Sequence, residues 1–344
     1  KFLTAEKIKS QLPLYYSQIR EKYERTDMLT VQVKFTPLVE SVLSLSSSDI
    51  GKLVTMTSST LSIPGLMTGS TLSIPGLRKP AKECQVEKVE TFNVNISGHY
   101  TGITILPKDR VMLVDEKNKQ CILLNKSHQV VTHYSLKEMP FDICVVSNEE
   151  VAVSVYDQNK IQILSVRGDV ISPVRTITTK HKCFGITAAG KGEMVVVGDC
   201  GNYKYCWSRI RDGREVHYSD QYDSSYVWYN YIDMNNSKTR VYVTVPYTNS
   251  LHCFNMEGKK QYTYSHDNLK CPLGVAVDRD DNIYVVGYWS HNIHQLSPEG
   301  CLIQVITTGV PKTPMAICFY NSSDTFVITN YSNESEKVHI FQLK

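Results

Sequence analysis

Five tyrosines and a tryptophan have the spacing most able to do chemistry in this 344-residue chain. Tyr156, Tyr247, Tyr288 and Tyr331 each follow a short apolar run (VAVSV, VYVTVP, IYVVG, FVITN), Trp289 adjoins Tyr288, and Tyr203 follows the equivalent position at Asp199. An aromatic ring with a polar tip can stack on a base, pack on a sugar or anchor a peptide, so a ring of them at equivalent loops predicts a partner-binding face. The structural alternative is that each ring only covers the end of the strand beneath it. Lys119, Lys160 and Lys204 lie near the same loops, where ammonium groups could meet phosphates.

Catalytic patterns are weaker. His291 and His294 read HxxH, but residues three apart on an extended segment point to opposite faces and do not share one metal. Asp142 and Asp233 fall on innermost strands, and the equivalent positions in the other units are Gly or Ala (Gly102, Gly185, Gly274, Ala316), so no carboxylate cluster is expected. No P-loop, GxSxG elbow or dinucleotide fingerprint occurs. The expectation is a chain without catalytic activity, metal or cofactor.

What must position these rings is a repeat. Six segments open with an apolar strand containing Ile103, Ile143, Ile186, Ile232, Val275 or Ile317, at intervals of 40, 43, 46, 43 and 42 residues. Each is followed by a second and a third strand, and five by a fourth. Four short strands at a period near 43 describe a β-propeller blade, and six of them a closed ring. The last unit ends after its third strand, while VEKVETFNV before the first has no blade of its own. A strand at about 87–94 is therefore predicted to complete the last blade and remove the open sheet edges. The fold class expected is all-β, a six-bladed propeller over residues 85–344.

Residues 1–45 differ. Ile8, Leu12, Tyr15, Ile19 and Tyr23 fall on one face of a helix interrupted at Pro13, so residues 5–25 are a candidate coiled-coil seam for a homo-oligomer. Residues 46–84 are rich in Ser, Thr, Pro and Gly and repeat STLSIPGL at an offset of eleven. That reads as a tandem duplication lengthening a tether, because doubling a loop costs only about 0.6 kcal/mol.

A net charge of +3 argues against a uniformly basic nucleic-acid surface. No apolar run approaches the roughly 18 residues needed to span a bilayer. The ten cysteines contain no CxxC pair and sit mostly inside apolar runs, which predicts buried reduced thiols and a cytoplasmic home; six Asn-x-Ser sequons suggest secretion as the alternative.

The segment LGVAVDRDDNIYVVGYWSHNIHQLSPEG, 273–300, resembles an NHL repeat: Gly274, Val275, Asp278, Asn282, Ile283, Tyr284, Val285, Asn292 and Ile293 match its pattern. The other units retain mainly the strand rhythm. A helical region, a linker and such a propeller are together similar to the C-terminal part of tripartite-motif NHL proteins. That resemblance implies recognition of RNA or of protein clients by the propeller. No zinc-ligand spacing precedes Cys84, so ubiquitin-ligase activity is not implied. A protein client is the favoured partner, with single-stranded RNA and a glycan as alternatives; no membrane partner is expected.

Overall fold

The computed structural model describes residues 85–190, 192–223, 229–320 and 324–344. The helix expected at 5–25 and the tether at 46–84 lie outside the described residues. Six antiparallel sheets form the six blades. Blade 1 is β2 (Tyr100–Leu106), β3 (Arg110–Asp115), β4 (Gln120–Leu124) and β5 (Val130–Ser135). Blade 2 is β6 (Pro140–Ser147), β7 (Glu150–Val155), β8 (Lys160–Arg167) and β9 (Val170–Thr178). Blade 3 is β10 (Ile186–Gly190), β11 (Glu193–Asp199), β12 (Lys204–Arg211), β13 (Arg214–Tyr218) and the short β14 (Tyr222–Asp223). Blade 4 is β15 (Ile232–Met234), β16 (Arg240–Val245), β17 (Ser250–Asn255) and β18 (Lys260–Ser265). Blade 5 is β19 (Pro272–Val277), β20 (Ile283–Gly287), β21 (Asn292–Leu296) and β22 (Leu302–Ile306). Blade 6 is β23 (Pro314–Phe319), β24 (Thr325–Asn330), β25 (Lys337–Leu343) and, from the other end of the propeller, β1 (Val86–Asn93).

The clasp is the one expected. β1 runs antiparallel to β25, from Val86 opposite Leu343 to Asn93 opposite Lys337. Gln85 and Lys344 extend it by exchanging backbone hydrogen bonds of 3.0 and 2.8 Å. Blade 6 is thus made from both ends of the propeller, and opening the ring requires stripping a whole strand.

Burial explains why the inner strands are apolar runs rather than alternating ones. β2, β3 and β4 are buried along nearly their whole length because each blade is covered on both faces by its neighbours, whereas the outer β5 alternates. The innermost strands approach closely at small residues. A Cβ on Gly185 would lie 2.7 Å from the Tyr231 Cα, and one on Gly274 would lie 2.4 Å from the Met315 carbonyl oxygen. Hydroxyls on the second strand anchor the first: Ser154, Thr244 and Thr329 accept the N–H of Asp142, Tyr231 and Ala316 at 2.9–3.0 Å.

Blade 3 departs from the pattern. Its outer strand is split, β13 pairing one end of β12 and β14 the other. Between them Ser219 accepts the Trp207 N–H through its hydroxyl at 2.9 Å, a side chain taking the place of a ladder carbonyl.

Candidate functional site: the two ends of the central channel

In antiparallel blades, the loop from second to third strand and the loop from one blade into the next emerge at the same end of the ring. All the aromatic candidates lie in loops of this end. Tyr203, Tyr247, Trp289 and Tyr331 are exposed there, at 61%, 58%, 67% and 37%. Tyr203 follows Asn202, both at left-handed φ (58° and 53°), in a turn closed by Lys204 N–H on the Gly201 carbonyl at 3.1 Å. A Cys200–Cys206 disulfide, with Cα atoms 6.0 Å apart, braces the same turn. Trp289 is fixed through its backbone N–H on Lys270 O at 3.2 Å, leaving the indole displayed.

Tyr156 and Tyr288 are different: both are half-buried. Tyr156 packs on Phe184 at 5.5 Å and its hydroxyl donates to Glu116 Oε1 at 3.3 Å. Tyr288 lies 6.4 Å from Tyr331, and Tyr331 lies 4.2 Å from His99. Of the lysines, Lys119 is exposed, Lys204 half-buried, and Lys160 half-buried and 3.3 Å from Glu138. Asp157, Glu138 and Asp199 are interspersed with them in the same loops, so the end carries both signs of charge.

Inward of the rim, the channel is plugged. Phe141 contacts Tyr229 (5.0 Å, stacked), Tyr231 (5.1 Å), Phe184 (5.5 Å) and Tyr156 (6.3 Å). Tyr231 reaches from blade 4 to the opposite blade 1, where its hydroxyl donates to the Thr101 carbonyl. Tyr229, which leads into blade 4, was missed from sequence; the signal was available in the aromatic string YVWYNY before β15.

Beyond the plug, the other end opens into a cavity of about 270 Å³ lined by Thr104, Asp142, Cys144, Thr187, Asp233 and Cys318 among apolar residues. The expectation that no carboxylates converge is corrected here. Asp142 and Asp233 occupy the two different channel-facing positions of their innermost strands, one before and one after the inter-blade Ile, so aligning a single position hides the pair. Asp142 is buried and Asp233 half-buried, and both serve as strand ties. Asp142 Oδ2 accepts Ile186 N–H at 3.0 Å; Asp233 accepts from Thr187 Oγ1 (2.9 Å), Met234 N (2.8 Å) and Val277 N (3.0 Å). Burial pushes the Asp142 carboxyl up to about 7 against the Ile186 and Ile143 N–H groups, and Asp233 adds to the rise. Burial raises Asp233 as well, with Lys238 and three hydrogen bonds opposing.

His291 and His294 do separate structural work. His291 Nδ1 accepts Thr313 N–H at 3.0 Å, and His294 pairs through Nδ1 with the Tyr264 hydroxyl at 2.7 Å. Among the described residues, no group of three or more metal-ligating side chains converges. The expectation of reduced thiols throughout is corrected by the Cys200–Cys206 bridge; Cys121, Cys144, Cys183 and Cys253 are buried thiols, and Cys301 is exposed. No helix among the described residues is long and apolar enough to cross a membrane.

No protein-family model matches the chain, and no curated protein matches its sequence. Solved structures do match. A virginiamycin B lyase from Staphylococcus aureus aligns with a TM-score of 0.55 at 16% identity over 76% of this chain and 100% of that one. A luciferin-regenerating enzyme aligns at 0.58 and 14%, over 76% and 95%. The β-propeller domain of Myceliophteria thermophila Cps50 (Swd1) aligns at 0.53 and 9%, over 71% and 84%. At these identities the likeness is one of fold. It corrects one expectation: setting catalysis aside is not warranted, because propellers similar to this one belong to enzymes, and the fold is compatible with an enzymatic role.

Proposed function

We propose that the chain is a recognition protein whose propeller binds a protein client on the end where the second-to-third-strand loops gather. The observation that carries this reading is the display of Tyr203, Tyr247, Trp289 and Tyr331 on four different blades at one end of the ring, around a channel already filled by its own aromatics. Large aromatic side chains held in solvent on braced turns are what protein interfaces use as anchors. The mixed charge of the same loops favours a protein over a phosphate backbone, which would call for a one-sign patch. The NHL-like segment 273–300 supports the same reading, since propellers of that kind recognise clients or RNA.

A display library of unstructured peptides selected on the full chain tests this. Enriched peptides are expected to lose binding to a Tyr247→Ala/Trp289→Ala variant and to keep it for Val170→Ala/Val174→Ala on the outer strand of blade 2. A labelled single-stranded RNA pool is expected to show no binding. RNA binding that falls steeply with salt, or peptides that ignore the aromatic variant, would overturn the reading.

A further inference from the structure

Among the loops of the aromatic end sits a carboxyl with a single side-chain partner. Glu116 is in the turn after β3, and the turn is rigidly held. Glu116 N–H donates to the His99 carbonyl at 3.0 Å, and Lys119 N–H returns to the Glu116 carbonyl at 3.2 Å. The neighbouring Asp115 collects His99 N (3.0 Å), Asn118 N (3.2 Å), Asn118 Nδ2 (2.6 Å) and Gln120 Nε2 (3.0 Å). Asp115 is therefore fully employed in fixing the turn. Glu116 is not: only 6% exposed, it has one side-chain partner, the neutral Tyr156 hydroxyl on Oε1. Among the described residues no donor reaches Oε2 and no cation pairs with the group; the adjacent Lys117 ammonium is instead directed to Ser97 Oγ at 3.4 Å.

The surroundings are rings. Tyr156, which bonds Glu116, packs with Tyr229 around Phe141, and Tyr331 pairs with Tyr288 at 6.4 Å. Burial first, and then the nearby Glu116 charge, raise the phenol pKa values of Tyr156 (to about 12), Tyr331 and Tyr229. A mostly buried carboxylate with one neutral donor keeps acceptor capacity open at its second oxygen, and aromatic faces offer a cation the remaining contacts.

Resting on the reading of this end as the client-binding face, we propose that the mouth formed by Glu116, Tyr156, Tyr229, Tyr288 and Tyr331 receives a basic side chain, lysine or arginine, of the client. The charged head meets Glu116 Oε2 and the stem lies against the tyrosines.

Four probes titrated against the full chain, with tyrosine ring NMR signals as the readout, test it: N-acetyl-arginine methylamide, N-acetyl-lysine methylamide and their neutral counterparts built on citrulline and norleucine. The basic probes are expected to shift the Tyr156 and Tyr331 signals saturably, and the neutral probes not at all. Glu116→Gln keeps the shape and the Tyr156 hydrogen bond; it is expected to weaken the basic probes about tenfold. Equal shifts from arginine and citrulline probes, or unchanged affinity in Glu116→Gln, would overturn the proposal. The selected peptides separate the two readings. Peptides that need Tyr247 and Trp289 yet tolerate Glu116→Gln overturn the mouth alone, whereas absence of any face-dependent peptide overturns both.

Discussion

One channel has two unlike ends. At one, Phe141, Phe184, Tyr229 and Tyr231 close the bore and exposed aromatics ring it; at the other, Asp142 and Asp233 line an open cavity of about 270 Å³. Both ends rest on the same innermost strands and the same small residues. The difference lies in how the polar groups are used: at the acidic end each carboxylate is tied to strand N–H groups, while at the aromatic end Glu116 is left with one neutral partner. A carboxylate tied to strand N–H groups holds blades together, and one with acceptor capacity left beside a half-buried ring is the group proposed above to meet a client.

The plug is where a single substitution has the largest expected effect. Phe141→Ala removes the ring against which four aromatics pack, and is expected to cost about 3–5 kcal/mol in urea unfolding. Next, Tyr247→Ala/Trp289→Ala is expected to weaken a selected peptide by about 2 kcal/mol or more while stability moves by less than about 0.5 kcal/mol, read by calorimetry on the peptide and by urea on the chain.

The acidic end predicts a pH effect of definite sign. Asp142, with its carboxyl raised from 3.8 to about 7, binds its proton more tightly folded than unfolded. Stability from this group is full below about pH 4 and is lost as pH rises toward 7, with a slope of at most about 1.4 kcal/mol per pH unit. Asp142→Asn is expected to flatten the fall between pH 4 and 7; an unchanged profile would show that the carboxyl titrates normally. Smallest of all, Tyr231→Phe keeps the plug and loses the bond to Thr101, for about 1 kcal/mol.

The propeller was legible in the sequence because each blade repeats the same burial demand: an apolar run at Ile103 and again at each later unit, followed by further short strands at a period near 43 residues. The clasp was legible because the strand count did not close without Val86–Asn93. The ring of rings was legible in position and only partly in exposure. Nothing in a one-dimensional alignment separates Tyr247, which stands in solvent, from Tyr156, which folds onto Phe184; the neighbouring blade decides. The Cys200–Cys206 bridge was missed because i and i+6 meet only once the hairpin of β11 and β12 forms. The Asp142 and Asp233 pair was missed because two registers face one channel.

The most direct measurement is a hydrogen-exchange footprint of the full chain with and without a peptide selected on it. Added protection is expected in the loops around 200–204, 246–249, 288–291 and 331–334, at the aromatic end. Protection confined to the loops around 107–109, 235–239 and 278–282, at the acidic end, would contradict it.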